Sequence, residues 1–598
     1  MTQGASKKSP ESIDTDEVLW SVSDEVFGFP ESGSSPNTEL DPLFLDLLSY
    51  PHPFKGFLPF TSSKTHSNRE ESESSRMEKF FAHAETDTAT EWRDAKGFPH
   101  SMEYVGFPFN KIVKEGNVYD WTDLEAVLDQ IASRGRQAVI RIILDNPGEA
   151  HGSWAPQFWF QKGVHFNRYP VEDHGGGWSP DYSSVFVRKD ILEFVQRFGE
   201  RLDGDPRVAF VMLGLIGFWG EWHTYPHTEW MPDGIFLGEL VTAFQTAFKT
   251  TKCVCRQPEK YLLKAEMESE AGACKVGLHD DMFTSTTLGD TGWFMYPRME
   301  RAGVSECWRG EAFGGEVAPA WQASLFDPEE KRPKPSQSLS ECVKATHASW
   351  MVTRAGEGRG INHFAFSRRK GYPEDKRVAA REGAVAMGYR FAFKGAFAKR
   401  TEEGVGFSFV IVNSGVAPVY YSVVAHLVVG VGAQGRWQVN SEGKLQFWSA
   451  KGEGGLKILL RAPVRSIGSP STEAYDFRGL LPSPQPSGDW NANLVGELTG
   501  SLVSKLSQDQ REELSTAAAS AEAADRFGLF VGILLTSPHT LSNQLPFVFF
   551  SRGQTLPRHS PSSSKQTEAP FLLPVSSPDA ATLLKCILSE THTGSLLK

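Results

Sequence analysis

Cysteine is scarce in this chain: six residues in 598, at positions 253, 255, 274, 307, 342 and 586. None belongs to a C-x-x-C pair, so a zinc ribbon is not expected and no disulfide framework is implied; one or two isolated disulfides stay open if the protein is exported. Long hydrophobic runs are missing too, since no apolar stretch reaches the roughly 20 residues that a membrane-spanning helix needs. Positive charge is in deficit. With 61 Lys and Arg against 73 Asp and Glu the formal charge is −12, and no basic run is interleaved with aromatics, which argues against nucleic acid as a partner. The segment from Met1 to Trp20 is polar and acidic and lacks the basic start and apolar centre of a secretory signal. The compartment is therefore left open, with a lean toward the cell interior. No Gly-rich phosphate or dinucleotide fingerprint follows an early strand, and no cofactor is called for.

What is present is a change of texture along the chain. Residues 1–48 are acidic and Ser-rich and are expected to form a disordered arm. Between 49 and 380, apolar runs alternate with segments of helical period. Ser101–Phe109, Gln137–Asp145 and Val208 onward read as strands, followed by shorter ones at 261–264, 275–279, 310–316 and 361–366. The helix from Asp120 to Gly135 carries Trp121, Leu124, Leu128 and Ile131 on one face, and further helices are expected near 189–202 and 234–250. With Pro51–Phe60 as the first strand, the pattern fits an α/β fold of the (β/α)8 TIM-barrel type, with an open doubly wound sheet as the competing arrangement. Alternating apolar strands separated by turns over 388–556 predict an all-β sandwich domain, interrupted by a helical insertion near 498–525. Residues 557–598 read as a low-complexity tail.

The segment from Val208 to His223, VAFVMLGLIGFWGEWH, is the most pointed. It reads as a doubly buried strand that delivers Glu221 between Trp219 and Trp222, with His223 next. An acid is costly to carry to the end of an apolar strand, and aromatic rings beside it suit the faces of a sugar. Glu316, in FGGEVAP, falls at the end of the seventh expected strand, as Glu221 does at the fourth. Glycoside hydrolysis uses such a pair, one carboxyl protonated for the leaving group and one ionised. Arg141 lies among Val139 and Ile143 and needs an acid, either a working carboxylate or a core partner. Glu103, Asp281 and Trp154 complete the candidate binding residues. His223, His227 and Asp281 raise a metal-hydrolase alternative, with Asp281 equally suited to cap a helix. For each acid the competing explanation is a structural ion pair or cap.

Several of these segments resemble a microbial family carrying a domain of unknown function: PFKGF at 53–57, SMEY at 101–104, DGDP at 203–206, GFWGEWHTYPH at 217–227, HDD at 279–281 and GGEV at 314–317. That family has a barrel similar to clan A glycoside hydrolases followed by a β-sandwich, to which VNSGVAP at 412–418 is similar. The resemblance implies a general acid/base at Glu221 and a nucleophile at Glu316. It departs from the clan pattern at Gly220, where the Asn before the acid/base would stand, and the family is commonly exported. The expectation is a hydrolase acting on a poly- or oligosaccharide, the alternative a non-catalytic carbohydrate-binding protein on the same scaffold.

Overall fold

The computed structural model describes residues 18–22, 52–61, 100–353 (apart from 116, 149–153 and 260–273) and 373–432 (apart from 401–403). It also describes shorter stretches between 435 and 541, together with 572–575 and 579. Within it, eight strands form one parallel sheet: β1 Gly56–Pro59, β2 Met102–Pro108, β3 Gln137–Ile143, β4 Val208–Met212, β5 Lys252–Cys255, β6 Gly277–Phe283, β7 Phe313–Val317 and β8 Trp350–Thr353. The order β1-β8-β7-β6-β5-β4-β3-β2 runs around a ring. A parallel bridge from Phe60 to Tyr104, with Thr61 N–H donating to the Tyr104 carbonyl at 2.9 Å, joins its two ends. This is a TIM-like α/β barrel.

Its strands are apolar on both faces because helices cover the outside and side chains fill the inside; all seven residues of β3 are buried. The helix Val185–Leu202 turns Val187, Ile191, Phe194, Val195, Phe198 and Leu202 toward the sheet, and Ser184 caps it by accepting from Val187 N–H. Thr122–Ser133 buries Leu124, Val127, Leu128 and Ile131, and Gly234–Ala247 is capped by Asp233. Met295–Ala302 and Leu339–Thr346 follow β6 and β7, and Glu374–Ala386 follows β8.

Two strands sit elsewhere than their expected places. The fifth is Lys252–Cys255 and the eighth Trp350–Thr353, while 261–264 and 361–366 lie outside the described residues. The strand into Glu221 is shorter than its apolar run: β4 ends at Met212, and the chain turns repeatedly before the acid. Cys274 and Cys307, just ahead of β6 and β7, are joined by a disulfide with Cα atoms 5.5 Å apart.

Beyond the barrel lies an eight-stranded antiparallel sheet that includes Phe391–Arg400, Gly404–Asn413, Val424–Gly432, Leu456–Ser466, Ala492–Thr499 and Leu529–Thr536. Leu456–Ser466 pairs with Val424–Gly432 along most of its length and then with Ala492–Thr499, so it links the two halves of the sheet. One edge is Val18–Val22, an apolar run inside the segment expected to be disordered; it pairs with Phe391–Arg400. The other edge is Leu572–Val575, from the expected tail. The helical insertion is Gln508–Ala518 with a Ser507/Gln510 capping box; residues 498–499 belong to the preceding strand.

The antiparallel part grips the N-terminal ends of the barrel strands. Tyr421 hydroxyl donates to the Ala209 carbonyl and accepts from Lys252 N–H, Tyr420 donates to Trp308 at 2.8 Å, and Gln137 Nε2 donates to His539 at 2.7 Å.

Candidate active site

Glu221 is presented by a compact turn over 213–222 rather than by a strand end. Leu215, Gly217, Trp219, Gly220 and Trp222 all have positive φ. At Gly217 (φ +71°) a Cβ would fall 2.3 Å from the His223 carbonyl, so no side chain fits. The turn is pinned to β3 and its extension by Leu215 N–H to the Ile142 carbonyl (3.0 Å) and Trp219 N–H to the Asp145 carbonyl (2.8 Å). These reversals separate the two tryptophans. Trp222 is 1% exposed and its Nε1 donates to the Leu213 carbonyl at 2.7 Å, so it is a core residue and not a sugar platform, a correction to the sequence expectation. Trp219 stays half-buried, edge-on to His174 with ring centroids 5.1 Å apart.

Arg141 is the hub. It leaves β3 into the barrel and is 3% exposed at its side chain. Its Nη2 lies 2.9 Å from Asp281 Oδ2 and its Nη1 3.5 Å from Glu221 Oε1. The guanidinium also lies over the Tyr104 ring, 5.7 Å from its centroid. Burial works against the charge, but Asp281, Tyr104, Glu221 and Glu316 more than offset it and hold Arg141 protonated. Glu316 stands in β7 opposite Val352 and accepts from Gln322 Nε2 at 3.2 Å. Next to it, Gly315 (φ +145°) lets the strand pass the Asp280 carbonyl, which a Cβ would meet at 2.1 Å. The Glu221 side chain is 21% exposed and Glu316 is partly exposed, so neither is sealed in the core.

Asp281, 2% exposed, is an interior anchor. Burial would raise its pKa, yet Arg141, His279 and Arg256 hold it well below the usual carboxylate range. Because an ionised carboxylate only accepts, His279 donates to it from Nδ1 across 3.0 Å, and burial keeps that imidazole's pKa below its ordinary value. Asp281 therefore sets the orientation of Arg141; it caps no helix.

Three other candidates fall away from this cluster. Glu103 opens β2 at the far end of the barrel, paired with Arg134 (2.7 Å) and Arg136 (3.1 Å). Burial pushes it up, but the two guanidiniums win and bring its pKa to about 2, so it is a structural ion pair. Trp154 accepts through its carbonyl from Asn110 N–H and lies near a cavity of about 410 Å³ lined by Asn110, Lys111, Lys114, Gln157 and Phe158, which contains none of the clustered carboxylates. His223 and His227 diverge: His223 Nε2 is 3.4 Å from Glu221 Oε2, whereas His227 Nε2 is 2.8 Å from Asp173 and its ring stacks on Trp230. Among the described residues, no three His, Cys, Asp or Glu side chains are disposed to hold a metal.

Two residues of the site were passed over in the sequence. Tyr104 lies in β2 with Arg141, Glu316, Asp281 and Glu221 as its charged neighbours. Asp145, two residues past β3, is wholly buried. The signal that marked Glu221, an acid at the end of an apolar strand, marks Asp145 equally.

Fold and site together define a TIM-like barrel with an Arg-centred group of carboxylates where strands β3, β4, β6 and β7 end. No protein-family model matches the chain, and no curated protein matches it. Among solved structures, it is similar to the catalytic domain of a β-amylase from Paenibacillus polymyxa (11% identity, 51% of this chain and 93% of that one, TM-score 0.31). It is also similar to an endoglucanase from Pseudomonas stutzeri (11%, 56% and 97%, 0.30) and to a β-glucanase from Saccharophagus degradans in complex with cellotetraose (11%, 55% and 88%, 0.27). These are glycoside hydrolases, and at this level of likeness they assign the chain neither a family nor an activity.

Proposed function

We propose that the protein is a glycoside hydrolase acting on a poly- or oligosaccharide, with Glu221 as general acid/base and Glu316 as nucleophile. The observation that carries this reading is that acids from β7 and from the turn after β4 both lie in the field of Arg141 and Tyr104 without being sealed from solvent. Glu316 would attack the anomeric carbon while Glu221 gives its proton to the departing oxygen. A water deprotonated by Glu221 would then release the glycosyl group from Glu316. Arg141, fixed by Asp281, steadies the negative charge that alternates between the two. Trp219 would offer the stacking surface. We take the antiparallel sheet to form a β-sandwich behind the barrel, as in the microbial family its motifs resemble.

Turnover of a panel of oligosaccharides and aryl glycosides tests the reading. Glu221→Gln and Glu316→Gln should each lower kcat/KM by about 10²–10⁴-fold with little change in melting temperature. Product anomers followed by NMR should show retention, and inversion would make Glu316 the base for water instead of the nucleophile. Tight binding of oligosaccharides with no turnover by the unaltered protein would favour the non-catalytic alternative.

A further inference from the structure

Three rings stand on the side of Glu221 turned away from Arg141. The Glu221 Oε1 faces Arg141 Nη1 at 3.5 Å, and its Oε2 lies 3.4 Å from His223 Nε2. Trp219 and His174 stand next to His223, with ring centroids 6.1 Å and 6.4 Å from it, and meet each other edge-on at 5.1 Å. Trp219 belongs to the turn that presents Glu221, and His223 follows it directly. His174 comes from elsewhere, the tip of a hairpin that pairs Phe166–Tyr169 with Gly177–Pro180 in the loop after β3. Other residues fasten that tip. Asp173 Oδ2 is 2.8 Å from His227 Nε2, and Gly148 N–H donates to the Gly176 carbonyl at 3.0 Å. Gly175 (φ +96°) packs so closely that a Cβ would fall 2.8 Å from the Gly148 Cα. Held there, His174 takes a left-handed backbone (φ +58°), costly for any residue but glycine, and is nonetheless exposed. Its Nε2 donates to the Tyr225 carbonyl at 2.9 Å, since a carbonyl only accepts, and Nδ1 is left for a ligand.

We propose that His174 is a specificity-determining residue: with Trp219 and His223 it forms a subsite for a sugar on the leaving-group side, so the bond broken joins two sugars. The inference rests on the hydrolase reading given above. A carboxyl serving as an acid carries its proton on the oxygen not paired with a cation. In Glu221 that oxygen is Oε2, so the departing oxygen lies beside His223 and the group attached to it lies against the three rings. Glu316, in the field of Arg141, belongs with the sugar on the other side of the bond. The wall suits a pyranose. Trp219 is half-buried and offers a face to the C–H groups, while His174 Nδ1 offers a hydrogen bond to a hydroxyl, which an apolar leaving group would leave unmet. The backbone points the same way, because a glycine would adopt the conformation of residue 174 freely and a strained histidine stands there instead.

Two measurements on the full chain test it. The first needs no turnover. Tetrasaccharides of glucose, xylose, mannose and galactose are titrated into protein labelled at histidine nitrogen, with NMR signals assigned by their loss in His174→Asn and His223→Gln. A tetrasaccharide that binds should move the His174 and His223 signals and leave that of His539, on the N-terminal rim, in place. His174→Asn, which tolerates the left-handed backbone, should raise its Kd about 5- to 20-fold at an unchanged melting temperature. Binding that leaves His174 unmoved, or binding of none of the four, overturns the subsite. The second measurement compares leaving groups on a sugar that is turned over. His174→Asn should raise KM about 5- to 20-fold for an oligosaccharide and leave kcat within about twofold. On the nitrophenyl glycoside of the same sugar it should leave both within about twofold. Equal losses on the two substrates, or none on either, overturn the leaving-group assignment. Shifts at His174 with no turnover by the unaltered protein remove the hydrolase reading and leave the sugar site standing.

Discussion

Glu103 and Asp145 are both closed to water, and burial ends differently for each. The Glu103 pKa falls from 4.5 to about 2 because Arg134 and Arg136 outweigh the loss of solvent. A lowered folded pKa stabilises above the unfolded value and loses that contribution as pH falls; here the window runs from about 4.5 down to about 2, with roughly 3 kcal/mol at stake. Glu103→Gln should therefore cost about 3–5 kcal/mol at pH 7 by stranding two buried guanidiniums, and much less at pH 3, in urea melts at the two pH values. Asp145 is the reverse. Its raised pKa means no penalty below about 3.8 and the full penalty above about 7, roughly 4 kcal/mol. The melting temperature of Asp145→Asn relative to the unaltered protein should rise from pH 5 and level off once pH passes about 7. A constant difference would show that Asp145 does not carry a buried charge.

Among the elements, the turn over 213–222 is built with strained backbone. Leu215, Trp219 and Trp222 sit at φ values of +71°, +53° and +57°, each costing about 1–3 kcal/mol that the surrounding hydrogen bonds must offset. Gly217→Ala would add a Cβ clash with backbone, and it should lower both melting temperature and activity by displacing Glu221. Trp222→Phe loses one buried hydrogen bond and should reduce stability by about 1–3 kcal/mol while leaving KM unchanged, measured on the same preparation. This turn also marks the limit of what the residues announce. Apolar runs made β2, β3, β6 and β7 legible, and helical period and caps made the helices Thr122–Ser133, Val185–Leu202 and Gly234–Ala247 legible; Met295–Ala302 and Leu339–Thr346 were not expected. Glu221 and Glu316 stood out as acids at strand ends. The four-residue strands β5 and β8 carry no measurable period, so their places were lost among neighbouring apolar residues. Nothing in the pair Trp219 and Trp222 says which ring turns inward; backbone reversals three residues apart decide it. Tyr104 looks like any core aromatic until Arg141 is placed over it.

On the scale of the whole molecule, Tyr420, Tyr421 and His539 fasten the antiparallel sheet to the N-terminal rim, so it braces the barrel from behind. Tyr421→Phe should lower the melting temperature by a few degrees and leave kcat and KM unchanged. The Cys274–Cys307 link closes a 33-residue separation, and its reduction should cost about 3–4 kcal/mol on the loop-entropy scale. A different property comes from the way the ring is fastened. Strands β8 and β1 pair with each other over Trp350–Gly56, Met351–Phe57, Val352–Leu58 and Thr353–Pro59. On their outer flanks they hold on thinly, by Glu316–Val352 and Ser349 N–H to the Phe313 carbonyl on one side and by Phe60–Tyr104 and Thr61 on the other. The pair is thus a panel between two short seams, and each seam includes a neighbour of Arg141, Glu316 on one side and Tyr104 on the other. In deuterium exchange its amides should open together and ahead of those in β3, and an occupant gripping Glu316 and Tyr104 should latch the panel shut.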